Sequence, residues 1–102
     1  MTADLRDNTE KHRFELDVDG YVAFVVYRKH GDAITLVHTE VPKELGGRGL
    51  GSTLVRQVLE TVRAAGLKVV PMCPFISAWM EKHPEFDDLL ATPRTAPAGG
   101  KR

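Results

Sequence analysis

Only one cysteine, Cys73, occurs in the 102-residue chain. No internal disulfide can form, no cysteine cluster can hold a metal, and the usage fits a reducing compartment. Neither sign of charge dominates, since fourteen Lys and Arg balance fourteen Asp and Glu. The chain therefore lacks the global field that nucleic-acid and membrane-surface binders use, and neither is expected as a partner. Long apolar runs are missing as well. The longest, over 21–27, falls far short of the roughly 20 residues a membrane-spanning helix needs. The first eight residues, Met-Thr-Ala-Asp-Leu-Arg-Asp-Asn, have no apolar core of the secretory kind, so a cytoplasmic location is expected.

What is present suits one domain with one core. Residues 1–11 are polar without a period, and 92–102 are rich in Pro, Gly, Ala and Thr. Both stretches read as flexible termini around a folded unit at 12–91. The stretch 12–18 alternates polar with apolar residues, Asp19-Gly20 is a favoured two-residue turn, and 21–27 is β-branched and aromatic, which predicts a β-hairpin. A third strand over 33–41 follows a turn at 29–32 and closes at Pro42. Leu50, Leu54, Val55, Val58, Leu59 and Val62 then recur at helical spacing, predicting a helix over 49–65 that Gly66 terminates. A short strand over 67–72 can pair parallel with the third strand. A second helix over 75–83 carries Phe75, Ile76, Trp79 and Met80 and stops at Pro84. The expected fold class is α/β (α+β): a sandwich of order β-β-β-α-β-α, its sheet mostly antiparallel with one parallel strand pair.

The strongest local signal is Glu44-Leu45-Gly46-Gly47-Arg48-Gly49-Leu50-Gly51-Ser52, which leads from a strand into the first turn of a helix. The first amides of a helix lack internal partners and sit at the positive end of its dipole. A glycine-rich approach lets them surround a phosphate, because no Cβ keeps the anion away. Arg48 adds a forked cation suited to the same anion. The alternative is a plain flexible turn. A nucleotide P-loop is excluded, since no Gly-Lys-Ser/Thr ending follows, and a meander precedes the loop where a dinucleotide fold would have a parallel opening strand.

The run Val41-Pro42-Lys43-Glu44-Leu45-Gly46-Gly47-Arg48-Gly49-Leu50-Gly51-Ser52 resembles the acetyl-CoA loop of the GNAT N-acetyltransferase superfamily, Gln/Arg-x-x-Gly-x-Gly/Ala. Gly49 and Gly51 match its two small positions, while Gly46 stands where Gln or Arg is usual. With His38-Thr39-Glu40-Val41-Pro42, Val70-Pro71-Met72-Cys73-Pro74-Phe75 and His83-Pro84-Glu85-Phe86, the chain resembles the minimal branch of that superfamily, over about 12–90. The resemblance implies a strand over 34–41 splayed from one over 67–72, with the pantetheine arm of acetyl-CoA between them. Val41 would hydrogen-bond the pantetheine through its backbone, and the amides from Gly46 to Ser52 would hold the pyrophosphate. The thioester would point toward Cys73. The expected acceptor is an exposed amine, with a peptide or protein as a natural source.

Acetyl transfer to an amine needs a base for the ammonium proton, donors for the oxyanion and an acid for the departing thiolate. His38 and Glu40 share one face of the third strand by its period of two, so either is a candidate base. Their plain alternatives are a hydrogen-bonded structural histidine and a strand-end salt bridge. Cys73, before Pro74, is a candidate nucleophile or acid, or else an inert buried thiol. Trp79 and Met80 read as core, and His83 as a helix-end residue contacting the last carbonyls. The tyrosine acid of many relatives has no match on the last helix. A non-catalytic CoA or acyl-CoA binding module is the alternative function.

Overall fold

In the computed structural model, which describes residues 5–47 and 49–91, Asp19 and Gly20 make the predicted turn. Their φ values of 52° and 83° are the two left-handed conformations a type I′ hairpin requires. In chain order the elements are β1 (Leu5–Asn8), β2 (Arg13–Val18), β3 (Tyr21–His30), β4 (Ala33–Glu40), α1 (Leu50–Ala64), β5 (Lys68–Pro71) and α2 (Pro74–Glu81). They form one sheet of order β1-β2-β3-β4-β5. The first three pairings are antiparallel and β4 pairs with β5 in parallel. The mixed α+β architecture is thus the expected one, with β1 added. Strand β3 also runs on to His30, opposite Ala33, beyond its expected end at 27.

Helix α1 ends as its glycine predicts. The Leu67 amide bonds the Val62 carbonyl at 3.1 Å and the Gly66 amide bonds that of Arg63 at 3.0 Å, the paired bonds of a Schellman motif. That tight stop returns the chain directly into β5.

One face of the sheet is covered and the other open. Opposed residues project to the same side, and the pairs Phe14↔Val25, Leu16↔Ala23 and Tyr27↔Leu36 are buried in a single core with Val55, Val58, Leu59 and Val62 of α1 and Ile76, Trp79 and Met80 of α2. Each such side chain contributes about 1.5–3 kcal/mol relative to exposure. Both helices therefore lie on this side. Residues 84–89, a 3-10 turn, close its margin. There Arg63 binds the Asp88 carboxylate at 2.6 Å and the Glu85 carbonyl at 2.9 Å, and the Ala91 amide reaches the Val69 carbonyl.

The expectation of a flexible 1–11 segment is corrected at Leu5–Asn8, which pairs with β2 from Leu5↔Leu16 to Asn8↔Arg13. Polar side chains hold it. The Tyr27 hydroxyl donates to Asp7 at 2.5 Å, and burial together with that carboxylate pushes the phenol up to about 12. On the open face, Glu15 is only 2% exposed and receives Arg13 at 2.5 Å, Arg6 at 2.9 Å and Asn8 at 3.1 Å. The Arg13 hydrogen bond holds its carboxyl below the ordinary 4.5 despite the opposing effect of burial, with Asn8 and Arg6 assisting. A depressed carboxylate stabilises the fold above its unfolded value and loses that contribution as pH falls through the folded one. Stability is therefore expected to fall as pH is lowered below 4.5. Glu15→Gln should cost about 1–3 kcal/mol at neutral pH and flatten this acid limb, measured by urea unfolding across the range. An unchanged acid limb in the variant would assign it to other carboxylates.

Candidate active site

Strands β4 and β5 run together from Ala33↔Lys68 to Leu36↔Pro71 and then part. The Met72 and Cys73 amides both bond the Leu36 carbonyl at 3.0 Å, which ends the ladder and turns the chain into α2. On the other side of β4, Tyr27↔Leu36 is followed by Val26↔His38, so Val37 is an extra residue, a β-bulge that bends the strand. Residues 37–40 consequently have no ladder partner on the β5 side among the described residues. Apolar side chains gather near this gap: Val37, Met72 and Phe75 are 37%, 65% and 47% exposed.

The glycine loop lies beyond the gap. After Glu40, Val41 and Pro42 lead into a 3-10 turn, Lys43–Leu45, whose Leu45 is fully buried and anchors the loop. Gly46 and Gly47 follow, and Gly49 is the N-cap of α1 with φ 70°, a left-handed conformation that glycine adopts without a Cβ penalty. The first helical hydrogen bond runs from the Thr53 amide to the Gly49 carbonyl at 3.1 Å. No side chain caps this end and its first turn carries no acidic residue. The amides of Leu50, Gly51 and Ser52 thus precede the helix's own ladder at its positive end. A cavity of about 330 Å³ opens here, lined by Val41, Leu45, Gly46, Gly47, Gly49, Leu50, Gly51, Ser52 and Phe75. A Cβ on Gly51 would stand 3.0 Å from the Phe75 ring, so the glycine leaves that ring room at the wall. Ser52 accepts a hydrogen bond from the Trp79 indole at 2.7 Å, which anchors its hydroxyl beside the cavity. The expectation for Arg48 lies outside the described residues.

The three candidate catalytic side chains do not converge. Because of the bulge, Thr39 stands opposite the buried Val25, whereas His38 and Glu40 stand opposite Val26 and Phe24. Thr39 therefore faces the helices, while His38 and Glu40 face the open side. The His38 ring lies 3.5 Å from the Glu40 carboxylate, each side chain 59% exposed. Cys73 is on the helix side, 4% exposed, with its sulfur 3.4 Å from the Thr39 hydroxyl. It is the N-cap residue of α2. Burial raises the thiol, yet the Thr39 hydroxyl and the amides of Ile76, Phe75 and Thr39 outweigh it and leave it below the ordinary 9.0. His83 follows α2, which ends at Glu81 rather than 83. Its ring stacks on Trp79 at 3.6 Å and contacts the Trp79 carbonyl at 2.7 Å, the helix-end arrangement expected of it.

Residues 13–89 match the family model for the GCN5-related N-acetyltransferases. The chain belongs to this family. Its fold is also similar to that of a Staphylococcus aureus protein whose solution structure was described as a GCN5-like N-acetyltransferase candidate. The two share 26% identity and superpose with a TM-score of 0.70 over 95% of this chain and 96% of that one. The match places the chain among minimal GCN5-related domains, and β1 lies ahead of the region the family model covers.

Thr39, Phe75 and Leu45 join this GCN5-related site without having been singled out for it. Phe75 reads in the sequence as part of one stripe with Ile76, Trp79 and Met80, and only the structure shows it 47% exposed at the cavity wall. Thr39 had no signal, because its approach to Cys73 spans 34 positions. Replacing Thr39 by Val removes the hydroxyl that favours the thiolate, so the Cys73 titration is expected to move to higher pH, read from ultraviolet thiolate absorbance. An unmoved midpoint would assign the lowering to the backbone amides alone.

Proposed function

We propose that the protein is an acetyl-CoA-dependent N-acetyltransferase acting on an exposed amine, as its family membership supports. The observation that carries this reading is the uncapped start of α1 opening on a glycine-lined cavity where the parallel strands part. The donor set fits the cofactor. Amides from Gly46 to Ser52 would hold its pyrophosphate, Val41 its pantetheine arm, and Arg48, by its place in the sequence, would add a cation. Acetyl-CoA, when bound, supplies a thioester carbonyl for an unprotonated amine to attack.

Glu40 and His38, exposed at the end of β4, would take the ammonium proton before attack, directly or through water. Cys73 is assigned a supporting role, because its sulfur is buried and engaged with Thr39. Direct transfer needs only that amine and thioester be held together. The family's short form leaves the open sheet face uncovered by helices, which suits an acceptor carried on a peptide or protein. A binding-only module is the second reading, favoured by the separation of Cys73 from the His38 and Glu40 pair.

A Gly49→Val variant is expected to lose at least about tenfold in CoA affinity by calorimetry, because the β-branched side chain opposes the left-handed backbone and crowds the amides. Wild-type affinity in the folded variant would move the cofactor off this loop. Transfer to a panel of primary amines, with mass spectrometry of the quenched protein, tests the chemistry. Turnover that persists in Cys73→Ser without acetylated protein is the expected result. A kinetically competent acetyl-Cys73 would overturn direct attack, and tight CoA binding without turnover on any amine would favour the binding module.

A further inference from the structure

A second cavity, about 440 Å³, lies along β3 away from the glycine loop. Lys11, Arg28 and Lys29 bring three cations to it, and His12 and His30 add two imidazoles, while no acidic side chain among the described residues lines it. In a chain of zero net charge this is a local concentration of one sign. Neither Lys11 nor Arg28 forms an ion pair with any described residue. Val26 and Tyr27 complete its lining.

Backbone geometry says what shape of ligand fits. Strand β2 begins at Arg13 opposite Val26, so the end of β3 projects past it. The Tyr27 amide is taken by the His12 carbonyl at 2.9 Å, which shows that Tyr27 turns its peptide groups toward the β2 side. By the strand's period of two, Lys29 turns its N–H and C=O the same way. Beyond His12 no described strand lies there to meet them. His12 itself holds φ 55°, a conformation uncommon outside glycine, with its ring edge-on to Tyr27 at 6.3 Å. The corner thus bends the chain away from the β3 edge and leaves it open.

We propose that this edge docks an acidic polypeptide segment as an added strand, its main chain bonding Lys29 and its carboxylates meeting Lys11 and Arg28. An open edge that turns the Lys29 N–H and C=O outward selects an extended peptide, and the cationic side chains select its charge. A nucleic acid would engage the cations but leave the amide edge unused. The proposal does not depend on cofactor binding at the glycine loop.

The test uses the full chain and a fluorescein-labelled ten-residue peptide of alternating glutamate and threonine. Anisotropy should show saturable binding that the matching lysine-threonine peptide lacks, weakened about tenfold or more by Arg28→Glu or Lys11→Glu. On the unmutated protein, NMR titration should shift the Lys29 and His30 amides and leave those of Gly49 to Ser52 in place. The proposal is overturned by no saturable binding, by wild-type affinity in both charge-reversal variants, or by shifts confined to other residues. It is also overturned if inorganic triphosphate or a single-stranded oligonucleotide displaces the peptide while binding the same residues more tightly, which would make the cavity a polyphosphate or nucleic-acid site.

Discussion

One extra residue in β4 governs how this molecule presents its candidate chemistry. Without the bulge at Val37, strict alternation would carry the inward face of Ile34 and Leu36 on to His38 and Glu40. With it, Thr39 turns inward and the two titratable side chains turn outward. The same local bend coincides with the end of the β4–β5 ladder at Leu36↔Pro71. Parting two parallel strands exposes main-chain groups that a closed sheet would consume, so the gap and the groups around it lie beside the bulge.

The gap would be of little use if its walls were soft. The loop from β4 to α1 is short and tied down at Leu45, whose side chain is buried, and α1 is fixed by five apolar residues set into the core. The glycines can therefore leave space at the helix start without leaving the start itself loose. From the other side Trp79 fills the core with its ring and reaches Ser52 with its indole N–H. One side chain thus links packing energy to the placement of a polar group at the cavity. Cys73 gains its environment in a similar way, at the point where β5 gives way to α2.

Covering only one face of the sheet has a different consequence. The open face must satisfy its charges within itself, and the Glu15 carboxylate does so with Arg13, Arg6 and Asn8. Arg13 also lies 4.2 Å over the Phe24 ring, so one guanidinium serves a salt bridge and shields an aromatic side chain. Isolated exposed pairs such as His38 and Glu40 add little stability. The Glu15 cluster differs because its acceptor is buried and surrounded by donors.

Short-range patterns were enough to place the hairpin turn at Asp19-Gly20, both helices, the parallel strand β5 and the glycine loop. Each rests on residues close in sequence: a turn dipeptide, a helical stripe, a glycine run. Strand β1 was not legible, because its four residues hold one apolar side chain and their partners, Glu15, Asp17 and Tyr27, lie on strands that fold beside them. The bulge was equally hidden, since Val37 looks like any β-branched strand residue until β3 is paired against it. The sequence by itself therefore determined every element but β1 and where the glycine loop begins. Only the tertiary structure decided which way those side chains face, sending Thr39 to Cys73 and turning the His38 and Glu40 pair to the open side, because facing depends on register between strands and register is a long-range property.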